Sequence, residues 1–237
     1  MPYVCQDPDP VVYVHIPKTG GTQSRETLRP HGGRKEGAGH DSIRVVPYAL
    51  RASSLCVASI RDPWSWYASL YEHAMNLGDE GRRLLKQWGN GSDDWAAVLY
   101  GMTHPLDLPS APKVPGVVFR HVGSYPRSTA PHGLFTWVLR YFCQERDGTW
   151  AIDAVIDTAQ LSAGWSSILN EPPTDARANA RRPLALPADY AEAYTPEMIE
   201  WVRRADAPMV GLFGFDPFAP MAQPVTHLCT LLPDGDA

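Results

Sequence analysis

The stretch from Val11 to Thr22, VVYVHIPKTGGT, limits what this chain can fold into more than any other. Val11, Val12, Tyr13, Val14 and Ile16 form a short apolar, β-branched run of the kind that makes a strand buried on both faces. Pro17 cannot donate to a ladder and ends that strand. Lys18, Thr19, Gly20, Gly21 and Thr22 follow, and Gln23 to Arg29 is polar and free of breakers, so it can open a helix. A strand, a glycine-bearing turn and a helix N-terminus together make an anion cradle, because successive backbone N–H groups point at one spot where the helix dipole adds its field. Lys18 adds a point charge and the threonines add hydroxyl donors. The spacing is not GxxxxGK[ST], since here the lysine precedes the glycines. The plain alternative is a strand-to-helix turn with a surface lysine.

A second junction of the same kind follows. Leu55 to Ile60, LCVASI, reads as another buried strand and runs directly into Arg61, Asp62 and Pro63. Asp62 suits an N-cap and Pro63 the first helical position. Arg61 therefore stands at the carboxyl end of a strand, where open α/β sheets place their ligands. Ser69 lies ~9 Å further along the helix axis.

HIPKTGGT resembles the 5′-phosphosulfate loop of the membrane-type (carbohydrate) sulfotransferases and their bacterial relatives, and RDPxxxxxSxY resembles the 3′-phosphate motif of the same family. The resemblance runs over about residues 11–216, although only these two motifs and the ending YTPEMIEWVRR…LFGFD are distinctive. It implies an α/β fold with a central parallel β-sheet flanked by helices, a three-layer sandwich like that of P-loop kinases. It also implies transfer of a sulfuryl group from 3′-phosphoadenosine 5′-phosphosulfate (PAPS) to an acceptor hydroxyl, without a metal, leaving 3′-phosphoadenosine 5′-phosphate. Lys18, Thr19, Gly20, Gly21, Thr22 and Gln23 would hold the 5′-phosphate, with Lys18 also catalytic, and Arg61 and Ser69 would grip the 3′-phosphate. His40 falls where some family members carry a general base, and imidazole suits that work; an exposed loop histidine is the equal alternative. Asn179, Arg181 and Arg182 fall where members carry a segment that closes over the donor, against the alternative of a solvated basic loop. Two departures stand out: Gln23 replaces a common serine, and Trp66 replaces a common basic residue. Trp64, Trp66 and Tyr67 are either packing or a cover for an adenine or apolar acceptor.

The rest of the chain sets the frame. Its 237 residues suit one domain, with residues 72–125 as a helical acceptor-side lobe and 217–237 as a tail without a motif. A net charge of −5 argues against a broad nucleic-acid surface, so basic residues work locally. Cys5, Cys56, Cys143 and Cys229 form no CxxC pair, and Cys56 and Cys143 read as small buried hydrophobes. No signal-type leader or long apolar run is present, so the expectation is a cytoplasmic protein without membrane insertion. The polar lead-in Met1 to Pro10 brings the chain almost directly to its first strand, as in the bacterial form of the family. Ser92 is the expected cap of a helix over SDDWAAVLYG, Pro131 to Cys143 reads as a core helix, residues 114–122 as a short strand, and Thr195-Pro196-Glu197 as a helix start running to about Phe213.

The acceptor stays open among glycan, lipid and small-molecule chemistry. Two other functions compete. A small-molecule kinase or NTPase would need magnesium, but the chain has no GxxxxGK[ST] and shows neither a Walker B aspartate after a strand nor a carboxylate cluster. A non-catalytic nucleotide- or glycan-binding protein would keep the same pocket without turnover.

Overall fold

A computed structural model describes residues 2–5, 9–36, 41–110, 112, 132–172 and 185–231. His40, Asn179, Arg181, Arg182 and the strand expected within 114–122 lie outside the described residues. The chain divides into two compact units, Met1–Arg61 with Val138–Ala180 and Pro220–Ala237, and Asp62–Trp137 with Arg181–Ala219.

The first unit is built on a six-stranded sheet. Its strands are β1 (Pro2–Cys5), β2 (Val11–Val14), β3 (Arg34–Lys35), β4 (Leu55–Ile60), β5 (Ala154–Asp157) and β6 (Val225–His227), in the order β3-β1-β2-β4-β5-β6. β2, β4 and β5 run parallel, and both of their faces are buried, which explains their unbroken apolar character. The sheet as a whole is mixed, which corrects the expected parallel sheet: β1 pairs antiparallel with β2 and β3, and β6 antiparallel with β5. Residues 6–10 are too few for a parallel crossover, so β1 can return to β2 only as a hairpin. The lead-in is therefore a strand, with Tyr3 opposite Tyr13 and all four of its residues buried. The tail, read as without a motif, supplies β6.

Helices flank this sheet. α1 (Gly21–Leu28) and α7 (Leu161–Leu169) share one core with Tyr3, Val11, Tyr13, Val57 and Ile156. Trp165 of α7 meets Tyr13 edge-on with 5.3 Å between ring centroids, and its Nε1 donates to Ser24 Oγ of α1 at 3.0 Å. A short helix, α2 (Tyr48–Ala52), precedes β4. Cys5, Cys56 and Cys143 are buried, whereas Cys229 is exposed.

The second unit is helical: α3 (Pro63–Met75), α4 (Asp79–Trp88), α5 (Trp95–Thr103), α8 (Pro196–Ala205) and α9 (Ala207–Phe213), with the first turn of α6 (Leu134–Cys143). Two of its helix starts match their local signals. Asp62 accepts from Ser65 N–H at 2.8 Å ahead of Pro63, and Thr195 caps Met198 ahead of Pro196. A third does not: Asp94, not Ser92, caps α5, accepting from Ala96 and Ala97, while the Ser92 hydroxyl accepts from Asp94 N–H. Trp64, Trp66 and Tyr67 are fully buried, which makes them packing residues. Trp64 Nε1 donates to Ile199 C=O at 3.0 Å and Tyr194 donates to Trp64 C=O at 2.8 Å. Among the described residues no helix is long and apolar enough to cross a membrane.

Candidate anion-binding site

The carboxyl ends of β2, β4 and β5 share one edge of the sheet, because the register pairs Val14 with Ala58 and Ile60 with Asp157. The loop 15–20, Arg61 and the Asp157–Thr158 turn all leave from that edge. Lys18 has φ +69° and Gly20 φ +77°. A left-handed lysine is uncommon and costs of order 1 kcal/mol, so the surroundings must hold it.

Side chains beneath the loop do this holding. Thr19 is fully buried; its hydroxyl donates to Ile16 C=O at 2.8 Å and lies 3.0 Å from Ser59 Oγ. Ser59 of β4 donates in turn to Thr19 C=O at 2.6 Å. The Thr19 hydroxyl is thus committed to the fold, and only its backbone is left for a ligand. Both glycines are closely packed against side chains. A Cβ on Gly20 would come within 2.7 Å of Leu161 Cδ2, on top of its left-handed φ, and a Cβ on Gly21 would come within 2.0 Å of the His15 imidazole.

α1 begins at Gly21 rather than at Gln23, with Gly20 as its cap residue and no capping side chain. Among the described residues no side chain caps its first N–H groups, and the helix dipole adds positive field there. Thr22 and Gln23 are half-buried in this first turn. Arg61 is half-buried directly after β4, whose last carbonyl, on Ile60, accepts from Thr158 Oγ1 at 2.6 Å. Among the described residues no carboxylate pairs with Arg61. One edge of the first unit thus carries Lys18, the open N-terminus of α1 and Arg61. Ser69 is half-buried on α3 and belongs to the second unit.

Asp157 ends β5 and is buried. Its carboxylate already accepts from Ala159 N–H at 2.9 Å, Met221 N–H at 2.7 Å and Gln160 Nε2 at 3.2 Å. Among the described residues no group of three His, Cys, Asp or Glu side chains could hold a metal ion.

Two residues of this edge escaped the sequence. His15 covers Gly21 and stacks on Tyr13 at 6.4 Å between centroids. Arg25 of α1 donates through Nε to Gly21 C=O at 3.1 Å and through Nη2 to Thr22 Oγ1 at 3.2 Å. The three-residue step from Thr22 to Arg25 is a same-face helical spacing, which was the one available signal. No family model, curated protein or solved structure matches the chain.

Proposed function

We propose that this chain is a sulfotransferase of the PAPS-dependent family, with the layered sandwich of P-loop kinases, that moves a sulfuryl group to a hydroxyl of a glycan, lipid or small-molecule acceptor. The supporting observation is the pairing of a left-handed Lys18 loop at the mouth of α1 with Arg61, a guanidinium without a carboxylate partner among the described residues, at the ends of adjacent parallel strands. Two cations and a run of N–H groups at one edge suit a ligand with two separate phosphates.

PAPS, the donor, would supply an activated sulfuryl group on a phosphate leaving group. The N–H groups of Gly21, Thr22 and Gln23 would bind the 5′-phosphate. Lys18 would stabilise the charge that grows on the bridging oxygen as the S–O bond breaks. Arg61 would read the 3′-phosphate with its planar fork and so exclude nucleotides that lack one. His40 is the proposed base for the acceptor hydroxyl, and residues 72–125 the proposed acceptor region. With the reactants held in line, positioning and electrostatics carry most of the rate. The proposed setting is the cytoplasm. A magnesium-dependent kinase would call on the acid at the end of β5, but three N–H donors already occupy the Asp157 carboxylate.

Calorimetric titration with 3′-phosphoadenosine 5′-phosphate, with AMP and Mg-ATP as controls, tests this. Micromolar binding of the 3′-phosphorylated nucleotide, lost in Arg61→Ala, is the expected result. Preference for Mg-ATP, or no binding at all, overturns it.

A further inference from the structure

Arg25 is half-buried on α1, and neutral oxygens hold its guanidinium on three sides. Nε donates to Gly21 C=O at 3.1 Å, Nη2 to Thr22 Oγ1 at 3.2 Å and Nη1 to Tyr3 OH at 3.4 Å, and the guanidinium carbon lies 6.0 Å from the centre of the Tyr3 ring. The neighbouring acid, Glu26, is taken by Arg29 at 2.6 Å. Among the described residues no carboxylate pairs with Arg25. A partly desolvated charge fixed only by neutral groups lacks a counter-charge. Its fork also gives Thr22 a direction. The Thr22 oxygen accepts from Arg25, so its single hydroxyl hydrogen points away from the guanidinium and is left to donate to another acceptor.

We infer that Arg25 is a positioning residue that orients the Thr22 hydroxyl as a donor to the 5′-phosphate of the nucleotide. This rests on the proposed reading of the loop as a 5′-phosphate site. A lysine keeps the charge at this position but, as a single ammonium, cannot bridge Gly21, Thr22 and Tyr3 in a fixed fork.

Calorimetry with two probes tests the inference: 3′-phosphoadenosine 5′-phosphate, and adenosine 3′-monophosphate, which lacks the 5′-phosphate. The proteins are wild type, Arg25→Gln, Arg25→Lys, Thr22→Val and the Arg25→Gln/Thr22→Val double variant. Arg25→Gln weakens the bisphosphate about tenfold, leaves adenosine 3′-monophosphate within about twofold, and adds no loss once Thr22 is valine. Arg25→Lys shows the same pattern, and carries the comparison should the glutamine variant fail to fold. Equal weakening of both probes makes Arg25 a support of the fold alone and overturns the inference. Full additivity with Thr22→Val also overturns it, because Arg25 then acts independently of Thr22. A wild type that binds neither probe removes the loop reading itself. Normal binding by every Arg25 variant removes only the role of Arg25.

Discussion

Tyr13 of β2 and Ser59 of β4 meet in a hydrogen bond of 2.7 Å inside the sheet, and Ser59 passes the connection on to the loop through Thr19 C=O. Ser59 spends its only hydrogen on Thr19, so Tyr13 is the donor between the two strands. Burial pushes the Tyr13 phenol up to about 12, which keeps it protonated for that task. Ser59→Ala removes the shared partner and leaves a buried hydroxyl and a buried carbonyl unsatisfied. The expected loss is about 3 kcal/mol of stability in urea unfolding. A loss below about 0.5 kcal/mol would mean that the loop is held by other contacts.

The His15 imidazole occupies the space that a Gly21 side chain would need. Gly21→Ala should therefore be destabilised by about 1–3 kcal/mol through overpacking at the start of α1. Removing the ring should relieve this, so Gly21→Ala is less harmful in a His15→Ala background than alone. Thermal unfolding of the four proteins closes the cycle, and simple additivity would show that the ring is not the obstacle.

Lys18 sits at φ +69°, where glycine fits and other residues are strained. Lys18→Gly and Lys18→Ala lose the same ammonium, so under the proposed function both should lower sulfuryl transfer by at least ~100-fold. Their stabilities should separate by about 1 kcal/mol in favour of glycine, the reverse of the usual order within regular structure. Equal stabilities would mean that residue 18 leaves the left-handed region once its side chain is gone.

Local signals made the site's frame legible. The run ending in Ile16-Pro17 and the run ending in Ile60 announced β2 and β4, and Asp62-Pro63 and Thr195-Pro196 announced α3 and α8, because caps and breakers act within a few residues. β1 and β6 were not legible. PYVC and VTH are too short to declare a strand, and their state is set by Tyr13 and Ile156 across the ladder. Ser92 and Asp94 both suit a cap, and only the geometry of α5 selects Asp94. Within the site, the motif marked the loop, but Arg25 and His15 entered through side-chain direction. The spacing of Thr22 and Arg25 puts them on one helix face, but it does not say that the guanidinium also reaches Gly21 C=O, and no pattern in the letters reports that an imidazole lies on Gly21. The segment from Thr195 to Phe213 read as one helix, but Pro208 in the first turn of α9 marks the break at Asp206, and the partners of that carboxylate fix it.

Those partners give Asp206 a measurable pH signature. It is fully buried between α8 and α9, and it accepts from Tyr67 OH and from Thr136 N–H, each at 2.8 Å. Tyr67 OH accepts from Phe135 N–H at 3.1 Å, so the first turn of α6 is capped entirely from outside its own sequence. Burial pushes the Asp206 carboxyl from 3.8 up to about 6. The folded chain therefore holds this proton more tightly than the unfolded chain. The resulting stability is fully present below the unfolded value and is lost as pH rises through the folded one. The span corresponds to about 3 kcal/mol. Asp206→Asn has no ionisation to resist and keeps an oxygen for Thr136. Its stability relative to wild type should climb from about pH 4 to about pH 7 in urea unfolding. A gap that stays constant across that range would mean that Asp206 does not change its charge there, and that the cap on α6 is independent of pH.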